Sequence, residues 1–318
     1  MQDIDEEKLR WFLQTANIKR NYPIDKDAPI ADALAHLNLL HERALKNAAL
    51  LLFGKSPQRF HIQAEAKCIH FHGTEVEKPF NSYHIYKGNI FNQVDTALDF
   101  VLDRLKNPVI PESGKATTKT PYEIPAFVIR EAVVNGLVHR DYSSAAGVQI
   151  MVFSDRVEVW NPGGLPPQLT LDSLKQPHPS IPHNPLLAEA FHLTTYIEKA
   201  GSGTMEMIKR CRESGLLEPE FEEKMGSFVT TIRRHCLTEE YLQSLGLNER
   251  QTEIFEYLKI HKSIKSTEYS IMFNVTDRQA RADLSHLVDM HLLKRTGQAR
   301  LVIYMLNPEI SGNIRKTT

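Results

Sequence analysis

The chain has 318 residues, a net charge of −1, and a composition that is 42% hydrophobic and 24% charged. These values are ordinary for a globular protein of two or three domains, and they exclude a field of one sign over the whole chain, so a nucleic-acid surface must be local. No apolar run approaches eighteen residues, the start MQDIDEEKLRWF is acidic and amphipathic, and the three cysteines form no CxxC pair. We therefore expect a cytoplasmic protein with reduced thiols and no membrane partner.

The N-terminal part, residues 1–122, shows a helical pattern with one strand inside it. Apolar residues at helical spacing predict helices over Asp5–Asn21, Asp27–Leu40, Ala44–Phe53 and Ile90–Leu105. Alternation along Arg59–Gly73 predicts a strand. The stretch that follows, residues 107–125, is rich in Pro, Lys and Thr and indicates a domain boundary.

The central part, residues 123–236, carries three motifs in a fixed order. REAVVNGLVHRDYS places Glu131 and Asn135 four residues apart, on one face of a predicted helix. Two apolar runs, VQIMVF and RVEVW, then predict a β-hairpin that ends in the turn NPGGLPP. After a proline-rich loop, EKAGSGTMEMIKRC predicts a glycine turn that opens a helix. A Mg-nucleotide site requires a carboxylate, an amide and N–H groups at the start of a helix. The N–H groups bind phosphate.

The C-terminal part, residues 237–318, is predicted to contain three helices and a hairpin. Asn248 and Thr276 are predicted N-caps of the first and third helices, and Ser266 is predicted to cap the second. From residue 248 onward there are eleven Lys or Arg against eight Asp or Glu. The pattern is typical of a winged helix-turn-helix. Such a domain could bind DNA, or it could serve dimerisation or domain packing.

The motif strings REAVVNGLVHRDYS, NPGGLPP, HNPLLAEAF, EKAGSGTMEMIKRC and GSFVTTIRR resemble those of the RecG-related transcriptional regulator family. The resemblance implies an α+β chain in three parts. These are a partial Schlafen/AlbA-like region (1–122), a GHKL-like (Bergerat) α/β sandwich with a mixed sheet and helices on one face (123–236), and a winged helix (237–318). The acidic first half of the Schlafen/AlbA-like domain is missing, so a naturally short member and a truncated sequence both fit.

The same resemblance implies a role for each motif in binding ATP and Mg²⁺. Glu131 would be the general base and Asn135 the Mg²⁺ ligand, and Arg140 would contact phosphate. The remaining nucleotide-binding residues implied by the glycine turns are Asn161, Gly163, Gly164, Gly201, Ser202, Gly203 and Thr204. The proline-rich loop between the turns takes the place of a mobile ATP lid.

One position departs from the family pattern. Asn161 stands where GHKL proteins have an Asp that reads adenine, and its uncharged amide predicts weaker base discrimination. Two functions stay open: a DNA-binding regulator with a nucleotide-binding, slowly hydrolysing module, and a non-enzymatic transcription factor whose module is a scaffold or dimer platform. The chain has no Walker A or DExx motif and is not predicted to be a helicase.

DNA and a second copy of the chain are the predicted macromolecular partners. The DNA contacts are expected from the start of the third helix and from the hairpin that forms the wing. The predicted DNA-binding residues are Arg278, Gln279, Arg281, Lys294, Arg295 and Arg300.

Overall fold

The structure is a computed structural model of the whole chain. It describes all residues except 43, 106–109, 112–117, 120–121, 199–200, 215, 235–241, 243–244, 291, 298–301 and 308–318. The chain divides into two compact units. The first comprises Met1–Asn107, Tyr122–Ser214 and Glu218–Ile232, and the second comprises Pro108–Pro121, Gly215–Leu217 and Arg233–Thr318.

The first unit contains seven described α-helices and eight strands. The helices are α1 (Glu6–Arg20), α2 (Ile30–His36), α3 (Asn47–Phe53), α4 (Ile90–Leu102), α5 (Ala126–Val138), α6 (Pro185–Leu193) and α7 (Gly203–Glu213). The strands are β1 (Leu40–His41), β2 (Ala44–Leu45), β3 (Ala66–His70), β4 (Ser82–Tyr86), β7 (Val148–Val152), β8 (Arg156–Pro162), β9 (Glu220–Lys224) and β10 (Ser227–Arg233). The two-residue strands β5 (Ile110–Pro111) and β6 (Thr118–Lys119) pair with each other in the second unit.

A six-stranded mixed sheet organises the first unit, with the order β4-β3-β7-β8-β10-β9. The pair β3–β7 is parallel, whereas β3–β4, β7–β8 and β9–β10 are antiparallel. The strands β3 and β4 come from the predicted N-terminal part and the others from the predicted central part. The predicted boundary at residue 122 therefore separates two stretches of chain that contribute to one sheet and one compact unit.

Helix α5 packs closely on this sheet because it carries a glycine at the contact. A Cβ on Gly136 would lie 2.9 Å from Val159 Cγ1 of β8, closer than real Cβ atoms approach. The helical side also has an aromatic core, in which Phe91 stacks on Phe191 with ring centroids 4.5 Å apart. These contacts fix the face of α5 that carries Glu131 relative to the strand that ends at Pro162.

The second unit contains three described α-helices, α8 (Glu249–His261), α9 (Ser266–Phe273) and α10 (Asp277–Asp289). Three short strands, β11 (Ser263–Ile264), β12 (Leu293–Thr296) and β13 (Ile303–Leu306), form an antiparallel sheet in the order β11-β13-β12. Its core includes Phe255, Leu258, Leu284 and Leu287, all with 0% exposure. Among the described residues, no helix is long and apolar enough to cross a lipid bilayer.

Several predicted helix ends are confirmed and two are wrong. Asn248 and Thr276 cap α8 and α10 through their side chains. Ser266 does not cap α9, because the helix already includes it and the Glu268 carboxylate accepts the N–H of Lys265 instead. The predicted helix Asp27–Leu40 shrinks to α2, since the chain turns through a left-handed residue, Asn38 (φ 56°), before β1.

Candidate nucleotide site

One face of α5 lines a cavity of about 400 Å³ in the first unit. Glu131, Asn135 and His139 follow one another at intervals of four residues, so their side chains project from the same side of the helix. The volume lies within the range of small-ligand sites in proteins, roughly 300–1,000 Å³. The sequence predicted the first two of these residues and not the third.

Glu131 is a buried carboxylate, with only 7% of its surface exposed. Burial raises its pKa, because the charged form loses water, while the hydrogen bond from Asn135 and the charge of Arg130 act in the opposite direction. Asn135 Nδ2 donates to Glu131 Oε1 at 3.2 Å. The pair is therefore joined through the Asn135 amide nitrogen. The amide oxygen of Asn135 takes no part in this hydrogen bond.

The glycine turn before α7 meets this pair. A Cβ on Gly203, the first residue of α7, would overlap Oε1 of Glu131, so a larger residue there would have to push that carboxylate aside. Gly201 has a left-handed backbone (φ 62°), and a Cβ there would overlap the main-chain oxygen of His178. Thr204 Oγ1 donates to the carbonyl of Leu174 at 2.7 Å. The start of α7 is thus in contact with both the Glu131 carboxylate and the loop that precedes α6.

The turn after β8 forms another part of the cavity. Asn161 is 6% exposed and lines the cavity together with Gly164, whereas Gly163 (φ 111°) lies against Asp141 and is not in the lining. The N–H of Leu165 donates to Glu223 Oε1 at 2.7 Å. The turn is therefore held in place by a carboxylate from β9, which the sequence did not indicate.

The loop of residues 165–184, most of which belongs to the segment predicted as a mobile lid (residues 169–191), contacts the site at several points. Leu174 in its short 3-10 turn is buried, and His178 Nε2 lies 3.3 Å from Thr204 Oγ1. At its end, Asn184 Nδ2 donates to the carbonyls of Val138 and Arg140, both at 2.8 Å. In this structure the loop packs on α7 and on the end of α5.

Two more of the predicted nucleotide-binding residues lie outside the cavity lining. Arg140 is 1% exposed, and its Nη2 donates to the carbonyls of Ser144 and Ala146 at 3.2 and 2.5 Å. These bonds hold the loop after α5. Ser202 is absent from the described lining, although its neighbours on both sides belong to it. Of the predicted set, the cavity brings together Glu131, Asn135, Asn161, Gly164, Gly201, Gly203 and Thr204.

Sequence reasoning missed other polar groups in the lining. His139 lies two turns beyond Glu131, and burial together with the nearby His183 lowers its pKa to about 4. His139 is eight residues after Glu131 in the sequence. This spacing could have predicted that both side chains lie on the same face of the helix. Thr230 on β10 is 6% exposed, and Glu189 and Glu198 add carboxylates. No lysine or arginine is found in the lining among the described residues.

The predicted DNA-binding residues lie in the second unit. Arg278, Gln279 and Arg281 are exposed in the first turns of α10, and Lys294 and Arg295 are exposed on β12. Arg300 lies outside the described residues. The start of α10 therefore presents two arginines and an amide to solvent.

Residues 145–232 match the sequence family HATPase_c_4, described as "Putative ATP-dependent DNA helicase recG C-terminal". The match covers the β7–β8 hairpin, both glycine turns and α7, whereas Glu131 and Asn135 on α5 precede it. Residues 145–232 are thus similar to an ATPase-like domain, and this similarity suggests ATP binding. A winged helix and a Schlafen-type domain lie outside what this match covers.

The whole chain is similar in fold to a solved structure, that of the DIP2311 protein from Corynebacterium diphtheriae. The TM-score is 0.58 at 18% sequence identity, over 99% of this chain and 64% of that one. The chain therefore spans less than two thirds of that protein, and the likeness concerns the fold alone. No curated protein matches the chain.

Proposed function

We propose that the first unit binds a purine nucleotide, as its Mg²⁺ complex, in the cavity between α5, α7 and the turn after β8. The observation that carries this proposal is the convergence of Glu131, Asn135, Asn161 and the Gly201–Gly203 turn on one cavity of about 400 Å³. The match of residues 145–232 to an ATPase-like family supports ATP as the ligand.

The two ends of the cavity suit different parts of a nucleotide. The first N–H groups of any α-helix have no partner within the helix and lie at the positive end of its dipole, so the start of α7 would favour phosphate. The amide of Asn161 and the hydroxyl of Thr230 are uncharged groups that suit the edge of a base. The ligand would accordingly lie with its phosphates towards Gly203 and its base towards β8 and β10.

Magnesium fits the oxygen donors at the phosphate end. The described residues contain no cluster of three or more His, Cys, Asp or Glu side chains that could hold a metal. Mg²⁺ usually binds through one or two protein oxygens together with phosphates and water, and the Asn135 amide oxygen is such a donor. The ion would neutralise phosphate charge in a cavity that has three carboxylates in its lining.

Hydrolysis, where it occurs, would use Glu131 as the general base. Burial raises the pKa of this carboxyl, which makes the carboxylate a stronger base than an exposed one. The close contact with Gly203 places the carboxylate beside the expected phosphates. A slow rate is expected, because Glu131 Oε1 accepts a hydrogen bond from Asn135 that would have to shift before this oxygen could take a proton from water.

Calorimetric titration with Mg·ATP tests the binding proposal. The wild-type chain is expected to bind in the micromolar range, and Asn135→Ala to bind at least tenfold more weakly, since it removes the Mg²⁺ ligand. Asn92→Ala on α4 is the matched control, because this amide is absent from the cavity lining. If the wild-type chain gives no heat and no rise in melting temperature at millimolar Mg·ATP, the module is a scaffold and the proposal fails.

A second function, DNA binding by the second unit, is favoured by the exposed side chains at the start of α10. Three helices followed by a β-hairpin are the elements that a winged helix would contain, and the third helix of such a fold enters the major groove. Arg278, Gln279 and Arg281 then face the bases, while Lys294 and Arg295 on β12 lie in the wing and suit phosphates. Together the two proposals describe a nucleotide-binding DNA regulator.

A further inference from the structure

The phosphate end of the cavity is occupied by oxygen atoms of the chain itself. Oε1 of Glu131 lies where a Cβ of Gly203 would be, and the main-chain oxygen of His178 lies where a Cβ of Gly201 would be. Both glycines of the turn are thus in contact with an electron-rich atom. A phosphate that binds this turn must displace these oxygens or accept them as close neighbours.

The charge of Glu131 is poorly compensated, in contrast to that of Glu198. Glu198 accepts Arg20 Nη2 with both of its oxygens at 2.8 Å, so an arginine offsets its charge. The side-chain hydrogen bond of Glu131 comes from the neutral amide of Asn135. Burial disfavours its charge more strongly than Arg130 stabilises it. The carboxylate also lies close to Gly203, the first residue of α7, and the N-terminus of a helix favours a negative charge.

We propose that Glu131 determines the charge selectivity of this cavity, by holding the place at the start of α7 that a ligand phosphate would take. This inference rests on the proposed nucleotide site and goes beyond the role of a general base. Phosphate and carboxylate compete for the same helix terminus, because both carry negative charge and Glu131 already lies beside Gly203. In the absence of a divalent cation, the site accordingly selects the nucleoside part of a ligand over its phosphates.

Metal-free calorimetry with two ligands that differ only in phosphate separates this role from others. Adenosine and ADP are titrated, in EDTA, into the wild-type chain, Glu131→Gln and Glu206→Gln. Glu206 lies in the first turn of the same helix, pairs with Arg210 Nε at 2.8 Å, and is absent from the cavity lining. The control thus removes a charge from the same helix end without touching the site.

We expect Glu131→Gln to bind ADP at least tenfold more tightly than the wild-type chain, with adenosine affinity changed by less than threefold. Glu206→Gln is expected to match the wild-type chain for both ligands. ADP is the product of ATP hydrolysis and not its substrate. A higher affinity of Glu131→Gln for ADP therefore cannot result from the loss of a general base. The wild-type chain alone provides a second test. It is expected to bind ADP no more than threefold more tightly than adenosine.

Each outcome bears on a distinct statement. Equal or weaker binding of ADP by Glu131→Gln, or a wild-type chain that prefers ADP to adenosine by tenfold or more in EDTA, would overturn the role of Glu131 while leaving the nucleotide site intact. Absence of binding by adenosine, by ADP in EDTA and by Mg·ATP in every variant would instead remove the proposed function itself. Circular dichroism of Glu131→Gln verifies its fold, and the wild-type comparison decides the matter if that variant is unfolded.

Discussion

At the scale of single residues, the contact between Gly203 and Glu131 has a consequence for stability. A methyl group on Gly203 would overlap Oε1 of the buried carboxylate, so Gly203→Ala is expected to destabilise the first unit by about 1–3 kcal/mol, the usual cost of overpacking. This loss is expected even though alanine favours helices more than glycine does. Denaturant unfolding of the full chain measures the change.

The control for this prediction is Gly73→Ala, because a Cβ there meets no atom within 4 Å. The double variant Glu131→Ala/Gly203→Ala removes the overlapping atoms, and the effect of the second substitution is then expected to be small or stabilising. Equal stability of Gly203→Ala and the wild-type chain would show that the carboxylate is free to move away.

His139 is expected to make the fold sensitive to acid. Burial lowers the pKa of His139 to about 4, below that of a histidine in an unfolded chain, so the unfolded state binds the proton first. The stability present at neutral pH is therefore lost as the pH falls towards 4. Between neutral pH and pH 4, the free energy of unfolding of His139→Gln is expected to fall by on the order of 2 kcal/mol less than that of the wild-type chain. Denaturant unfolding at a series of pH values measures this difference. Parallel curves for the two proteins would contradict the assignment.

The sequence identified the residues of the site that belong to motifs and missed those that depend on packing. Glu131, Asn135 and the glycine turns follow from helical spacing and from backbone requirements, which are local. Thr230 and Glu198 reach the cavity only because distant elements fold against it. Arg140 has the charge expected of a phosphate ligand, yet its burial among the carbonyls of the next loop is a tertiary contact that no local pattern reveals.

At the scale of elements, helix α10 carries the prediction that concerns DNA. Arg278 and Arg281 are exposed in its first turns, so alanine at both positions is expected to weaken DNA binding and to reduce the salt dependence of log K by about two units of slope. Fluorescence anisotropy with a labelled duplex, at several salt concentrations, measures both quantities. Arg278→Ala/Arg281→Ala retains the N-cap Thr276, so the helix itself is expected to persist.

Lys209→Ala is the matched control for α10, since it removes one exposed positive charge from the first unit. If the control, which removes one charge, lowers the free energy of DNA binding by half as much as the double arginine variant, which removes two, binding depends on overall charge rather than on α10. If the wild-type chain binds no duplex at low salt, the second unit has a packing role instead.

Helix and strand positions were the most predictable part of the fold. Amphipathic spacing located α1 and α4, amphipathic spacing with polar caps located α8 and α10, and two short apolar runs located β7 and β8. Strand pairing was not predictable, because β3 and β7 lie about eighty residues apart and the parallel register between them leaves no local signal. The shortened α2 depended on one left-handed asparagine.

At the scale of the whole molecule, the two proposed activities belong to different compact units. The unit with the mixed sheet has the cavity and the match to an ATPase-like family, and the other unit has the exposed arginines of α10. The central claim concerns the first of these units. It requires that residues from α5, β8 and the start of α7 contact a single ligand.

A crystal structure of the chain with Mg²⁺ and a non-hydrolysable ATP analogue tests this claim most directly. The account predicts phosphates at the Gly201–Gly203 turn, Mg²⁺ on the Asn135 amide oxygen, a base near Asn161 and Thr230, and Glu131 moved from its contact with Gly203. Two results would contradict it. One is an analogue bound elsewhere on the chain, and the other is a cavity without analogue, at a saturating concentration, in which Glu131 and the 165–184 loop keep their present positions.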